Sequence, residues 1–549
     1  MSWKNDIRVV ISIDFGTTYS GFAYSNKINP EIITNDTWPE QIGQLKTNTV
    51  LQYDKNFKNV EEWGYPALAK KPRRNKGKSK NQPVPKPVEH FKLHLGSMPD
   101  NDKPLLPKGL NHKKAITDYL KSMDTINTRW PNIKFMDQAL IILTVPAEFT
   151  DQAKAILRDC IYNAELIKTK TSEKLQFSTE PEAAAVHCMK VLKEHLLDIV
   201  GTNFLIVDCG GGTVDLTTRQ LLSNERLGEK TIRTGGFCGG IYVDRGFLAF
   251  IGEKVGPSVM QILQESHYGQ LQYMVQEFCK KVKLLFTGYR EDYKTFDMDL
   301  DEVCPVVKQY VTGSKLDKLE EDEWIVELKF EDVKKMFDPV IKKILKLIRD
   351  QLNRGGSISA MFLVGGFSES KYLQKRIREE FSDEVRNISV PPQPMAAIVR
   401  GALEYGLNMQ KIKSRTLPLT YGIELAPLWK EGDPPERKQT HGRIFVFRRL
   451  VSKGIEVDVD QEFGLELHPS FQNQIEISIE VYATTAIEAK FCDEPGMKKI
   501  GELRLDFPDP HLGFHRKITF TLTFGQMEIR AYARNQLGQS TNANFELEL

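Results

Sequence analysis

Long apolar runs are missing from this 549-residue sequence. The most apolar stretch, around Ala139–Val145, falls far short of the roughly 18 residues a membrane-spanning helix needs. Paired cysteines are missing too. Seven cysteines, at 160, 188, 209, 238, 279, 304 and 492, are scattered with no CxxC pair. That spacing excludes a zinc ribbon and a disulfide framework, and it predicts a reducing compartment with mostly buried, inert thiols. Charge of one sign is in short supply: 75 Lys+Arg against 73 Asp+Glu leaves a formal +2. The balance excludes a global pull toward nucleic acid or anionic membrane. The opening MSWKNDIRVV has no apolar core of leader-peptide length, so cytoplasmic residence is expected, with a nuclear location as the alternative.

What is present is an ordinary globular composition, 40% hydrophobic and 27% charged, in a chain too long for one core. Three near-continuous apolar runs punctuate the first 410 residues, and each ends in glycines. Residues 9–13 lead into Asp14-Phe-Gly16-Thr17-Thr18, residues 204–207 into Asp208-Cys-Gly210-Gly211-Gly212-Thr213, and residues 361–364 into Gly365-Gly366. Such runs are the pattern of strands buried on both faces, with Ala139–Val145 as a fourth. Between them lie helical patterns, over 151–164 with Thr150 or Asp151 as N-cap, and over 368–381 with Leu373, Ile377 and Phe381 on one face. Strands alternating with helices predict an α/β sheet covered on both sides.

Two segments differ in texture. Residues 70–87, KKPRRNKGKSKNQPVPKP, are basic, proline-rich and without apolar periodicity, as a solvated surface insertion or a docking patch for an acidic partner would be. After about residue 415, Ile475, Ile477, Ile479 and Val481 alternate with polar residues. So do Ile518, Phe520, Leu522 and Phe524, and then, past Gly525, Met527, Ile529, Ala531 and Ala533. Period-two alternation predicts antiparallel strands in a β-sandwich.

The glycine turns carry chemistry. A buried strand delivers Asp14 where the sheet opens, Gly16 lets the backbone turn sharply, and the Thr17 and Thr18 hydroxyls with nearby N–H groups can face phosphate oxygens. Asp208 repeats the device, with Gly210, Gly211 and Gly212 as a bare backbone cradle, Thr213 as a hydroxyl and Asp215 as a further carboxylate. One or two aspartates suffice for a hydrated Mg²⁺. Two such loops suggest two similar lobes clamping one polyphosphate, and the Gly365-Gly366-Phe-Ser368 turn leaves helix N–H groups free for an adenosine.

IDFGTTYSG, VDCGGGTVDLT and FLVGGFSES resemble the two phosphate motifs and the adenosine motif of the actin, hexokinase and heat-shock 70 superfamily. LTVPAEFTDQAKAILRDC, STEPEAAAVH and GGFCGGIYVD are similar to further elements of the heat-shock 70 family over residues 7–405. TYGIELAP and IEISIEVY are similar, more loosely, to that family's peptide-binding β-domain. In style the chain resembles divergent members without a helical lid. The resemblance implies a two-lobed actin-like ATPase with ribonuclease H-like sheets over 1–408, the basic insertion at 70–88, a linker at 409–418, and an all-β sandwich domain over 419–549.

The resemblance also implies ATP or ADP with Mg²⁺ as ligands. Asp14 and Asp208 would hold the metal through water. Thr17, Thr18 and Tyr19 would meet the β- and γ-phosphates and Thr213 the γ-phosphate, with Gly239 and Gly240 in the same cradle. Glu180 would stand near the metal and the attacking water, Asp215 would orient or deprotonate that water, and Lys92 in EHFKLHLG takes the place of a catalytic lysine. Lys283 on a helix over 279–287, with Gly365, Gly366 and Ser368, would contact adenosine. Lys280, Leu284 and Met395 depart from the family pattern, which implies altered base and ribose recognition. The linker stretch MQKIKSRT is basic and polar where the family is leucine-rich, so linker docking and cochaperone coupling are not expected.

The expected function is a slow ATPase that controls the binding of unfolded or extended polypeptide by the β-domain. A nucleotide switch or scaffold with dedicated partners is the alternative, and a small-molecule kinase a third.

Overall fold

The computed structural model describes residues 6–72, 87–123, 129–130, 132–459, 461–524 and 528–544. Residues 73–86 of the basic segment, and 525–527 with Gly525 and Met527, lie outside the described residues. The chain divides into two compact units, 1–149 with 156–217 and 234–409, and 150–155 with 218–233 and 410–549.

The first unit holds two sheets of the same design. One contains β1 (Val9–Asp14), β2 (Tyr19–Asn26), β3 (Ala139–Val145) and β4 (Leu175–Thr179). β1 runs parallel to β3 and antiparallel to β2, and β3 runs parallel to β4. The other contains β5 (Asn203–Cys209), β6 (Val214–Leu222), β7 (Ala360–Val364) and β8 (Asn387–Ser389). β5 runs parallel to β7 and β7 to β8, with β6 on the other side of β5. Every residue of β1, β3 and β7 is buried, which is why these strands read as near-continuous apolar runs. In both sheets the inner strand delivers an aspartate into a glycine turn that leads to its hairpin partner.

Helices fix the open ends of these strands. α1 (Glu180–Glu194) starts directly after β4. The Thr179 hydroxyl caps it by accepting from the Glu182 N–H at 3.2 Å, and Pro181 occupies the first turn. The expected helix at 368 begins later. Gly366–Glu369 forms a 3₁₀ turn, Ser370 is extended and caps with its hydroxyl, and α2 runs Lys371–Phe381. α3 (Ala397–Leu407) crosses α1 in backbone contact: a Cβ on Gly401 would stand 1.8 Å from the Ala183 carbonyl oxygen. The Ser12 hydroxyl of β1 donates to the Val399 carbonyl of α3 at 2.6 Å, tying strand to helix. The helix expected over 279–287 is shorter. It is one π-helical turn, Cys279–Lys283, continuing the helix Tyr268–Phe278.

The second unit contains two four-stranded antiparallel sheets. Their orders are Val446–Val451, Thr420–Leu425, Glu476–Thr484, Lys498–Asp506, and Glu462–Leu467, Ile518–Thr523, Arg530–Asn535, Ser540–Asn544. One apolar core takes side chains from both, including Ile479, Val481, Ile518, Phe520, Leu522 and Ala533. Ile475 falls outside the expected alternation; its strand starts one residue later and its side chain is exposed. The polar stretch expected as linker is not solvated throughout. Ser414–Thr416 is a buried strand paired with Glu456–Asp458, and Ile412 bridges to Leu227. Glu229 holds it: its Oε2 accepts from the Thr416 N–H at 2.8 Å, its carbonyl accepts from the Thr416 hydroxyl at 2.9 Å, and its Oε1 pairs with buried Arg219 at 3.0 Å. Among the described residues, no helix is long and apolar enough to cross a membrane.

Candidate functional site

The two glycine turns of the first unit meet. A Cβ on Gly211 would lie 2.2 Å from the Thr18 hydroxyl oxygen, and one on Gly212 would lie 2.6 Å from that of Thr17. Only bare backbone lets the loop after β5 come this close to the loop after β1. The third turn closes on the same point: Gly365, at φ 83°, has its α-carbon so near Asp208 that a Cβ would sit 2.4 Å from Oδ1. The result is one cleft of about 2550 Å³. Its walls carry Asp14, Gly16, Thr17, Thr18, Tyr19, Lys92, Glu180, Asp208, Gly210, Gly211, Gly212, Thr213, Gly240, Lys283, Gly365 and Gly366. Asp215, Gly239 and Ser368 do not line it. Gly239 supports the cradle from behind, packed against the Gly211 carbonyl, and its N–H donates to the Gly212 carbonyl at 3.2 Å. The buried Ser368 hydroxyl donates to the Val364 carbonyl at 2.5 Å and fixes the third turn.

Lys92 is no surface lysine. It sits on the 3₁₀ turn Phe91–Leu95, its side chain is buried, and its Nζ lies 2.7 Å from Glu180 Oε1 at the start of α1. The rings of Phe15 and Phe149 flank the ammonium at 5.8 and 5.7 Å. Burial raises the Glu180 pKa, and Lys92 opposes the shift. Asp208 is pushed well above the usual carboxylate range by burial and then by Glu180, Asp215 and Asp14. Asp215 is raised likewise by burial and then by Glu180 and Glu148. Its Oδ1 accepts from the Ala147 N–H at 2.7 Å.

On the opposite side, Lys283 Nζ donates to the Gly240 carbonyl and to Asp244 Oδ1, both at 2.7 Å. Tyr19 leads off β2 with about half its surface exposed. Lys280, Leu284 and Met395 line the same cleft, and Leu284 is exposed.

The donor set suits a hydrated divalent cation. Asp208 Oδ1 and Asp215 Oδ2 are buried and without a hydrogen-bond partner among the described residues, and such carboxylate oxygens call for water or metal. Among those residues no three His, Cys, Asp or Glu side chains converge as a metal cage, which fits an ion that keeps its waters. Sequence reasoning missed Lys46 and Glu148, and it quoted Asp244 only as the end of GGFCGGIYVD, with no role. Lys46 Nζ lies 2.5 Å from Asp14 Oδ2, and both are buried. No motif contains it, because its reach depends on strand pairing rather than on local spacing.

Two matched sheets each aim an aspartate and a glycine loop into one shared cleft on a mixed α/β scaffold. No family model matches the chain. Among curated proteins it is similar to heat shock 70 kDa protein 12A of Homo sapiens, 26% identical with 97% of this chain and 90% of that protein covered. It is similar to heat shock 70 kDa protein 12B of Homo sapiens, 24% identical over 96% and 89%. It is also similar to a mitochondrial-type heat shock protein 70 of Encephalitozoon hellem, 24% identical over 76% and 66%. Over nearly its whole length the chain is thus similar to heat shock 70 kDa proteins, and its mixed α/β architecture fits the actin-like ATPase fold of that family.

Proposed function

We propose that the protein binds ATP in the cleft of its first unit, hydrolyses it slowly to ADP and phosphate, and uses the cycle in a chaperone-like role. The observation that carries the reading is the buried Lys92–Glu180 pair, 2.7 Å apart, on the wall where the two glycine turns meet. A lysine with its own hydrophobic seat and carboxylate partner in such a cleft is costly to keep unless it meets an anion there.

In this reading the Thr17, Thr18 and Gly210–Gly212 amides and hydroxyls grip the β- and γ-phosphates. Lys92 neutralises charge that spreads onto the γ-oxygens. Thr213 and Glu180 position a water in line with the γ-phosphorus. Its oxygen forms the new P–O bond, the bond from the γ-phosphorus to the β–γ bridging oxygen breaks, and ADP leaves with that electron pair. The water's proton passes by way of the Thr213 hydroxyl to Asp215, one layer behind, whose raised pKa makes it a competent base. Asp14 and Asp208 would hold a hydrated magnesium ion, which when bound would supply charge neutralisation on the phosphates. Gly365, Gly366 and Lys283 form the nucleoside end, with Ser368 bracing the turn from behind and Leu284 and Met395 offering apolar rather than ionic contacts.

The second unit, with two antiparallel sheets over one core, is a β-sandwich in this reading. It takes extended polypeptide, and the exposed Leu428, Phe445 and Ile487 supply apolar contacts.

Phosphate release by the wild type, Lys92→Ala and Asp14→Asn tests the catalytic half. Both variants are expected to lose turnover by about 100-fold or more, the scale of a lost charge stabiliser, while the wild type turns over with no added acceptor. Unchanged turnover in both would overturn the site assignment. Turnover that appears only with a sugar or polyol would make the protein a kinase. Turnover that ignores added unfolded peptide would favour a switch or scaffold.

A further inference from the structure

Lys46 is used by no step above, yet the fold builds a route for it. The short strand Thr47–Asn48 pairs with the start of β2, Tyr19 with Asn48 and Ser20 with Thr47. Lys46 therefore falls beside Gly21, and Gly21 is the residue that faces Asp14 across the β1–β2 ladder. A Cβ on Gly21 would stand 2.9 Å from Lys46 Cγ. The missing side chain is what lets the aliphatic stem cross the strand and set Nζ 2.5 Å from Asp14 Oδ2. Side-chain exposure is 8% for Lys46 and 2% for Asp14.

The two cleft aspartates are thus unequal. Asp14 Oδ2 receives the Lys46 ammonium and Oδ1 the Thr144 hydroxyl at 3.4 Å, whereas Asp208 Oδ1 has no partner among the described residues. Of the two aspartates, Asp14 has a lysine seated on it, and Asp208 Oδ1 has none among the described residues. A divalent ion approaching Asp14 through its water shell has to displace a buried, well-seated ammonium. Once displaced, that ammonium still lines the same cleft, within the field of the Glu180 and Asp208 carboxylates and open to the oxygens of an incoming phosphate.

We propose that Lys46 is a built-in counter-cation of the phosphate cleft: it covers Asp14 against a free metal ion and supplies part of the positive charge that a bound nucleoside di- or triphosphate otherwise draws from magnesium. The inference deepens the nucleotide-binding reading and rests on it. It makes nucleotide binding tolerant of magnesium removal, and it makes metal binding depend on nucleotide.

The test is calorimetric binding of ADP and ATP to the full chain in excess magnesium and in excess EDTA, for the wild type, Lys46→Met and Lys46→Arg. Removing magnesium is expected to weaken wild-type binding by less than about tenfold, one decade being about 1.4 kcal/mol. The same removal is expected to weaken Lys46→Met binding by well over about tenfold, and Lys46→Arg is expected to retain much of the wild-type tolerance. Equal magnesium dependence in wild type and Lys46→Met overturns the proposal and reduces Lys46 to a structural ion pair.

Because Lys46→Met strands a buried carboxylate and risks misfolding, a second measurement uses the wild type alone. Mn²⁺ is titrated by electron paramagnetic resonance with and without ADP. Tight Mn²⁺ sites are expected only with ADP, and a tight site without nucleotide overturns the proposal. If the wild type binds neither ADP nor ATP under any condition, the nucleotide reading itself falls. That result is distinct from nucleotide binding that ignores Lys46.

Discussion

At the scale of single residues, environment decides chemistry more than identity does. His112 stacks on His94 with ring centroids 5.5 Å apart and planes 8° apart, at the first position of the helix His112–Ser122. Burial, then the His94 ring, Lys113 and Lys103 hold its pKa down to about 4 from 6.5. The helix N-terminus disfavours a cation there as well. His94 faces the Pro104 carbonyl and Lys103, and the Asp100 charge acts on the His94 ring of the pair. Between these two pH values the unfolded chain binds more protons at this position than the folded one, so stability rises with pH across the window and is lost as pH falls through it. The melting temperature of the wild type is expected to drop between pH 6.5 and about 4, and His112→Gln is expected to flatten part of that drop. Identical profiles would show that the stacked pair does not set acid stability. Lys46 and Lys92 carry the same lesson for reading sequence. Lys92 stood in a recognisable segment and could be named. Lys46 was invisible, because the absence of a side chain at Gly21, on a different strand, is what directs it to Asp14.

At the scale of elements, the strands and their turns were the legible part. A strand buried on both faces has to be apolar throughout, and a loop that meets another loop backbone to backbone has to be glycine. β1, β5, β7 and the turns after them are therefore written directly in residue types. Helix limits were less legible. The 368–381 pattern was apolar on one face from its start, yet Ser370 prefers to cap, and the helix begins after it. Nothing in the periodicity of 279–287 marks a π-turn, whose extra residue per turn shifts where Lys283 points.

The α1–α3 crossing was equally hidden, since Gly401 looks like an ordinary helical glycine until its neighbour is known. Gly401→Ala would raise helix propensity by about 1 kcal/mol in isolation. Here it drives a methyl into the Ala183 carbonyl, so the net effect is expected to be destabilising by about 2 kcal/mol or more. Because α1 begins with Glu180, the same variant is also expected to lower turnover, although residue 401 touches no phosphate. Denaturant unfolding with a parallel phosphate-release assay checks both, and a stabilised variant would contradict the close crossing.

At the scale of the whole molecule, the duplicated sheet design was legible as a repeat of Asp-x-Gly turns. The texture change after residue 415 likewise marked where alternating strands begin. What composition could not convey was the fate of the stretch between. MQKIKSRT reads as a basic, polar linker that does not dock, because polar and basic residues are usually outside. Its backbone, however, is claimed by strand pairing with Glu456–Asp458 and by the Glu229 carboxylate, and Ile412, Ser414, Arg415 and Thr416 are buried. The Lys413 ammonium is itself paired with Asp458. A serine protease has to draw several residues of its target out into its own groove, and these residues are already committed to a ladder. Brief trypsin treatment of the native protein, read by mass spectrometry, is expected to leave the bonds after Lys413 and Arg415 intact while exposed basic sites elsewhere are cut. Early scission at either bond would mean that the ladder opens readily. A segment composed like a tether is in this way withheld from the enzymes that tethers invite.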